Sequence, residues 1–251
     1  MSRLTFLCAF IRIKMVSYVL DALGGKCVLN KMGLFKQITY IRKGELFLKY
    51  TKELPQTNKE LSQRLEKSGW IKIKEPKNFL WALLFSFPLS CFLIAIIVYI
   101  TYVLEPNLFS FITSDSLEIT IPINIELLIF IVILYLYMFA HEMLHAIFIP
   151  NFKKSEKTEW GMKGVFGFVF TTEPMKKSRF LIVSCMPFIL LSIMTLFLFD
   201  ITGYLNWYTL MLCLINAAGS CVDFLNMILV GVQVKKGSTI INNGFETYYC
   251  L

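Results

Sequence analysis

Charged residues are scarce in this 251-residue chain: Asp, Glu, Lys and Arg make up 17% of it, against about 25% in typical soluble domains. Hydrophobic residues make up 56%, and the mean hydropathy is +0.63. This composition excludes a disordered chain and argues against an ordinary water-soluble enzyme. The seven cysteines include no C-x-x-C pair, which argues against an oxidised, secreted scaffold.

The apolar residues are gathered into four runs, at 79–104, 127–150, 180–199 and 206–234, and the charges inside these runs are Glu142 and Asp223. A hydrocarbon core of ~30 Å needs about 20 helical residues, and a helix satisfies its backbone polar groups within the segment. The sequence therefore predicts an all-α polytopic membrane protein with about four transmembrane helices, numbered here as spans 1 to 4. Core helices of a large soluble protein are the alternative.

The flanks of the four runs differ in charge. Residues 1–78 hold 16 of the 25 basic residues and 6 of the 17 acidic ones, and residues 151–179 hold seven basic and three acidic residues. Residues 105–126 carry four acidic and no basic residues, whereas Lys235 and Lys236 follow span 4. The positive-inside rule then predicts a multi-pass protein of the cell membrane with both termini in the cytoplasm.

Three parts follow from this orientation: a basic cytoplasmic segment (1–78), a transmembrane domain (79–234) and a cytoplasmic tail (235–251). The basic segment is accompanied by no recognised nucleic-acid-binding module. Anionic lipid of the bilayer, rather than nucleic acid, is therefore its expected partner. Within it, residues 1–23 are interrupted by charges and make a poor span.

Two local patterns lie outside the regular runs. Residues 57–60 have the spacing of a capping box, and Gly69 stands where the helix that follows should end. Residues 161–172 are rich in Gly, Val, Phe and Thr, which predicts a β-hairpin or a re-entrant loop between spans 2 and 3. Its strand edge could accept an extended peptide by β-addition; a plain interfacial loop is the alternative.

The chemistry-bearing motif closes span 2, where His141, Glu142 and His145 form an H-E-x-x-H pattern with the only two histidines of the chain. Residues four apart share a helix face, so both imidazoles can bind one metal ion. A neighbouring carboxylate can then take a proton from water that zinc has made acidic. Ionisable residues inside a bilayer are rare and usually functional. A polar cluster that packs helices together is the alternative.

A catalytic zinc site has three protein ligands and an open position. Asp223 is the best third candidate, because it lies twelve residues before Lys235, as His141 lies twelve before Lys153. Spans 2 and 4 should run in the same direction, so the two positions reach similar depths. Cys221 is close in sequence but points about 200° away on a helix, and it is expected to pack. Iron or cobalt could stand in place of zinc.

The chain resembles the bacterial zincin membrane peptidases, an uncharacterised family distantly similar to site-2 proteases. The resemblance covers roughly residues 45–235 and rests on the H-E-M-L-H motif, the Gly/Phe-rich loop, Glu173-Pro174-Met175, Pro187 and the leader at 53–76. It implies that His141, His145 and Asp223 bind zinc and that Glu142 is the base. Site-2 proteases carry an Asn-Pro-Asp-Gly type motif around the aspartate, where this chain has Gly-Ser-Cys-Val-Asp at 219–223.

The sequence thus predicts an intramembrane zinc metallopeptidase that hydrolyses peptide bonds of membrane-associated proteins or peptides. Two alternatives stay open: a transport protein or scaffold with a structural metal, and an immunity or binding protein that keeps the fold without catalysis. A transporter should show inverted repeats with paired broken helices, and the sequence has no evident repeat.

Overall fold

The computed structural model describes residues 49–53, 55–113, 124–152, 155–163 and 166–251; the prediction for residues 1–23 lies outside this part of the chain. Four helical segments are long and apolar enough to cross a membrane: Phe79–Leu104, Ile125–Phe148, Lys177–Ile201 and Trp207–Gln233. They confirm the four predicted runs, and the bounds of span 1 agree to the residue. The names span 1 to span 4 are kept for these observed segments.

Span 3 changes its helical geometry at Pro187. It consists of an α-helix Lys177–Pro187, a π-helical segment Phe188–Met194 and an α-helix Thr195–Ile201. At the end of the π segment the Thr195 N–H bonds to the carbonyl of Leu190, although an α-helix would pair it with Leu191. The Leu191 carbonyl instead accepts a hydrogen bond from the Tyr137 hydroxyl of span 2. The helix thus continues beyond the proline as a π-helical segment rather than as a regular α-helix.

Span 4 is two helices in line, Trp207–Gly219 and Cys221–Gln233, separated by Ser220. The Ser220 hydroxyl donates to the carbonyl of Asn216, one turn earlier, at 2.9 Å. A serine that bonds back to the i−4 carbonyl competes with the helical ladder and often bends a helix. This interruption was not predicted from the sequence.

Two cations at the start of span 3 cap the ends of spans 2 and 4. Lys177 Nζ donates to the carbonyls of Gly231 and Val234, at 2.8 and 2.6 Å. Arg179 Nε donates to the carbonyl of Phe148 at 2.5 Å. Basic side chains satisfy the orphan carbonyls of a helix C-terminus and interact favourably with its dipole. Spans 2 and 4 therefore end beside the beginning of span 3 and run in the same direction.

The described residues also contain seven strands: β1 Lys49–Thr51, β2 Ile71–Lys72, β3 Thr158–Lys163, β4 Phe166–Thr171, β5 Met175–Lys176, β6 Thr239–Asn243 and β7 Glu246–Cys250. The first sheet has the order β1-β3-β4. Its antiparallel β3–β4 pair is the hairpin predicted between spans 2 and 3, and β1 pairs parallel with β3. A side chain at Gly161 would lie 2.1 Å from the Thr51 carbonyl oxygen, so only glycine permits this pairing.

The second sheet has the order β2-β7-β6-β5, and the prediction of an all-α fold missed it. It unites segments before span 1, before span 3 and after span 4 at the ends of the helices. The β6–β7 turn has Gly244 at a φ of +64°, which favours glycine in a two-residue hairpin turn. The domain boundaries predicted at residues 78 and 234 stay predictions.

A short helix, Lys59–Lys67, packs against this second sheet. Its N-cap is Asn58, whose side chain accepts from the N–H groups of Glu60 and Leu61. The predicted capping box beginning at Thr57 was therefore wrong by one residue. Gly69, with a φ of +81°, follows the last turn as predicted, since a left-handed residue is a common way to end a helix.

Buried apolar side chains form two clusters along the spans. One contains Leu93, Ile97, Leu196, Leu210 and Ala217 among others, and the second contains Ile149, Phe180, Val230 and Ile240 among others. Along span 4, Asp223 lies between the two clusters. The polar groups of the predicted site therefore lie between two clusters of buried apolar side chains.

The stability of the second sheet should depend on Glu75. Its carboxylate accepts from the Thr247 N–H at 2.6 Å and from the Thr247 hydroxyl at 3.0 Å, and burial raises its pKa to about 7. The folded state thus binds a proton on Glu75 more tightly than the unfolded chain does. The stability that protonated Glu75 contributes is therefore lost as pH rises from about 4.5 through about 7. Glu75→Gln should therefore reduce the fall in melting temperature between pH 5 and pH 8.

Thermal unfolding of the detergent-solubilised protein at both pH values measures this effect. Glu53→Gln is the matched control, because Glu53 is an exposed carboxylate. An identical pH dependence of wild type and Glu75→Gln would contradict the prediction.

Candidate metal centre

Spans 2 and 4 bring the three predicted ligands together. His141 and His145 lie one turn apart on span 2, with 3.2 Å between their Nε2 atoms. The Asp223 Oδ2 atom of span 4 lies 3.4 Å from His141 Nε2 and 3.3 Å from His145 Nε2. Among the described residues, these three form a group whose ligand atoms lie close enough together to hold one metal ion.

The tautomer of each imidazole follows from its other nitrogen. His145 Nδ1 lies 2.9 Å from the carbonyl oxygen of Val183, which is only an acceptor, so Nδ1 carries the proton. His141 Nδ1 lies 2.9 Å from Asn216 Oδ1. The Asn216 amide is fixed in turn, because its Nδ2 donates to the Pro187 carbonyl at 3.2 Å. In the neutral rings both Nε2 atoms therefore direct a lone pair towards Asp223.

The three donor atoms fit a zinc ion. Zinc binds histidine nitrogen and carboxylate oxygen at about 2.0–2.1 Å in tetrahedral sites, and ligand atoms at that radius lie about 3.3 Å apart. The three observed separations are 3.2, 3.3 and 3.4 Å. Two lone pairs and a carboxylate that converge in this way repel one another unless a cation lies between them. Nitrogen and oxygen donors in this number are typical of catalytic zinc sites.

Burial differs among the three ligands. The side chain of His141 is 5% exposed and that of His145 is 12% exposed, whereas the side chain of Asp223 is 25% exposed. The site is therefore closed on the side of span 2 and open beside Asp223. Water and substrate, which a catalytic zinc site must admit to its open coordination position, would therefore reach the site beside Asp223.

Glu142 lies against the edge strand of the first sheet. An ideal Cβ at Gly167 of β4 would lie 2.5 Å from Glu142 Cγ, so the absence of a side chain lets the strand touch this glutamate. The backbone of Val169, two residues further along β4, also lies beside the Glu142 carboxylate. The β3–β4 hairpin also packs along span 2. The Tyr135 hydroxyl donates to the Met162 sulfur, and the Phe139 ring contacts the Trp160 ring edge to face.

The alternative ligand Cys221 points elsewhere. Its Sγ lies 3.2 Å from the Ser86 hydroxyl of span 1, and both side chains are buried. The expectation that this cysteine packs between helices is thus confirmed. Asn216 also bridges helices, since it links His141 of span 2 to Pro187 of span 3.

Sequence reasoning missed three groups around the ligands: the Val183 carbonyl, the Ser192 hydroxyl and Gly167. Ser192 accepts from Asn216 Nδ2 at 2.8 Å and donates to the Cys213 carbonyl at 2.9 Å. A backbone carbonyl leaves no trace in residue type, although the proline four positions after Val183 is a signal that could have indicated it.

Comparison with known proteins agrees with this site. Residues 133–239 match a family model described as "Putative zincin peptidase". The matched range includes the histidine motif, the β3–β4 hairpin and Asp223. The resemblance to zincin peptidases is confirmed over this range, and it supports a zinc-dependent protease, whereas the wider similarity to site-2 proteases stays a prediction. No curated protein and no solved structure matches the chain.

Proposed function

We propose that this protein is an intramembrane zinc metallopeptidase that hydrolyses peptide bonds of membrane-associated substrates. The observation that carries the proposal is the triangle of His141, His145 and Asp223 inside a bundle of four apolar helices, with Glu142 beside it. The family match over residues 133–239 supports the reaction class. The zinc ligands would be the two histidines and the aspartate.

Bound zinc would supply a Lewis acid that lowers the pKa of a coordinated water and polarises the substrate carbonyl. Glu142 would take a proton from the attacking water as the water oxygen bonds to the carbonyl carbon of the substrate. It would then deliver that proton to the amide nitrogen as the C–N bond breaks, so that a carboxylic acid and an amine leave. The β4 backbone that lies against the Glu142 side chain would limit its movement and keep the carboxylate aimed at the reacting atoms.

The edge of β4 offers a binding place for an unwound substrate. Among the residues that the structure describes, strand order β1-β3-β4 leaves one side of β4 without a partner strand, and an extended peptide can add to such an edge through main-chain hydrogen bonds. A transmembrane helix must lose its own ladder before its amides are reachable. Strand addition beside Glu142 would replace the lost hydrogen bonds and present the peptide to the site.

Spans 2 and 4 run in the same direction, and their basic flanks support a cytoplasmic position for their C-terminal ends under the positive-inside rule. Hydrolysis would then occur in the cytoplasmic part of the bilayer. Reporter fusions at Lys157 and after Lys236 should both report the cytoplasm, and a periplasmic signal at Lys157 would contradict this orientation.

Membrane proteomes identify the substrate and test the proposal together. A deletion strain and a Glu142→Gln strain should accumulate the same uncleaved membrane protein, because both lack the base. If the Glu142→Gln strain resembles wild type while the deletion strain does not, the protein acts without hydrolysis and the scaffold alternative is correct.

Gly167→Ala tests the contact between the hairpin and the base. The new methyl group would lie 2.5 Å from Glu142 Cγ, so either the strand or the glutamate must move. A displacement of about 1 Å can cost ~10²-fold in rate, and we expect cleavage to fall by that order while zinc content is unchanged. Gly231→Ala is the matched control, since nothing lies within 4 Å of its Cβ position. Equal rates for the two variants would contradict the role of this contact.

A further inference from the structure

Both histidines of the candidate centre are oriented by one short stretch of span 3. His145 donates from Nδ1 to the Val183 carbonyl at 2.9 Å. In an α-helix that carbonyl would accept the N–H of the residue four positions later. That residue is Pro187, which has no N–H to donate. The proline therefore leaves the Val183 carbonyl available, and the imidazole takes the place of the missing helical donor.

His141 reaches the same proline by a different route. Its Nδ1 donates to Asn216 Oδ1 at 2.9 Å, and Asn216 Nδ2 donates to the carbonyl of Pro187 itself at 3.2 Å. Asn216 Nδ2 donates its other hydrogen to the Ser192 hydroxyl, which lies in the π-helical segment that begins after the proline. Asn216 and Ser192 are fully buried, so this chain of hydrogen bonds is shielded from competing water.

We infer that Pro187 is a positioning residue of the metal centre: its missing N–H supplies the acceptor for one imidazole, and its carbonyl anchors the amide that holds the other. The inference rests on the zinc site of the proposed function. Hydrogen bonds to the second nitrogen of a metal-binding histidine fix its tautomer and orientation, and losing them typically costs about 10–100-fold in metal affinity.

A proline that only bends a helix would have no such partners. Pro88 of span 1 offers the comparison, because it too lies inside a long apolar helix and deprives the carbonyl of Leu84 of its helical donor. Pro88 is exposed on the outside of the bundle. The two prolines thus share their effect on the backbone and differ in what lies beside the freed carbonyl.

The first test measures zinc affinity of the detergent-purified full chain by competition with a chelating dye. Pro187→Ala restores an N–H that draws the Val183 carbonyl back into the helical ladder, and we expect zinc to bind about 10–100-fold more weakly. Pro88→Ala should bind as wild type does. Wild-type affinity in a folded Pro187→Ala protein would overturn the inference while leaving the proposed peptidase intact.

A second variant separates the missing N–H from the rigid ring. Lactic acid incorporated at position 187 has the alanine side chain but an ester oxygen in place of N–H. We expect this protein to bind zinc within about threefold of wild type, because the Val183 carbonyl stays free. A loss as large as that expected for alanine would show that the ring matters instead, and the inference would be wrong. The comparison of the ester variant with wild type tests the inference even if Pro187→Ala does not fold.

The tautomers can be read without any metal. The chain contains two histidines, so histidine-selective ¹⁵N labelling gives signals from the two imidazoles of interest alone. Both should carry the proton on Nδ1 in the metal-free wild type, and Pro187→Ala should change the His145 signals. A His145 whose Nδ1 carries no proton in the metal-free wild type would overturn the inference. Failure of the wild type to bind zinc would instead refute the proposed function, and the tautomer measurement would still test the role of Pro187.

Discussion

Glu142→Gln should leave zinc bound and nearly abolish peptide hydrolysis. Glutamine keeps the size of the side chain but cannot take a proton, and general-base catalysis typically contributes ~10²–10⁴ in rate. We therefore expect turnover to fall by about that factor. Zinc should stay bound, because the Glu142 side chain touches β4 rather than completing the ligand triangle. Cleavage of a membrane peptide in liposomes, together with metal analysis of the same preparation, measures both quantities.

Glu126→Gln is the matched control for this variant. Glu126 lies in the first turn of the same helix, far from the motif at its end, so its loss should leave turnover within about twofold of wild type. A Glu142→Gln enzyme that keeps most of its activity would mean that another group acts as the base. A Glu142→Gln protein that loses its zinc would instead place this glutamate among the ligands.

Removing any one ligand should have the second largest effect, on metal content. His141→Ala and His145→Ala leave two protein donors, which do not hold a catalytic ion firmly, so purified protein should contain essentially no zinc. Asp223→Ala should weaken binding strongly, and Asp223→Asn should weaken it less because the amide oxygen remains a donor. Metal analysis and chelator competition on detergent-purified protein give stoichiometry and affinity.

Cys221→Ala is the control for the span 4 ligand, because Cys221 is two residues from Asp223 and contacts Ser86 instead. It should keep one zinc per chain. Full stoichiometry and affinity in Asp223→Ala would assign the third ligand to another residue. Stability should be compared in the metal-free state, since bound zinc itself stabilises a folded protein.

The sequence predicts those parts of the molecule that repeat a simple rule over many residues. Span 1 is uncharged over 26 residues, so its bounds follow from composition alone. The histidine pair follows from the helical period of 3.6, and Asp223 follows from equal depth along two parallel spans. These inferences use hydropathy, periodicity and charge, which are all local in the chain.

The parts that the sequence does not predict depend on contacts between distant residues. Strands β2 and β5 are two residues long, too short to carry an alternating pattern, and they exist because β6 and β7 pair with them. The break at Ser220 and the π segment after Pro187 depend on hydrogen bonds to neighbouring helices. Apolar composition is the same on either side of both irregularities, so hydropathy cannot reveal them.

The second sheet also has a consequence for the order in which the molecule is made. Lys72 of β2 forms an ion pair with Glu246 of β7 across 174 residues of sequence. During synthesis, β2 emerges before the four described spans, and its partner β7 follows only after all four have been translated. Pairings between such distant segments form late and slowly. The second sheet can therefore be completed only when synthesis has passed span 4, after the helices that carry His141, His145 and Asp223 have both been made.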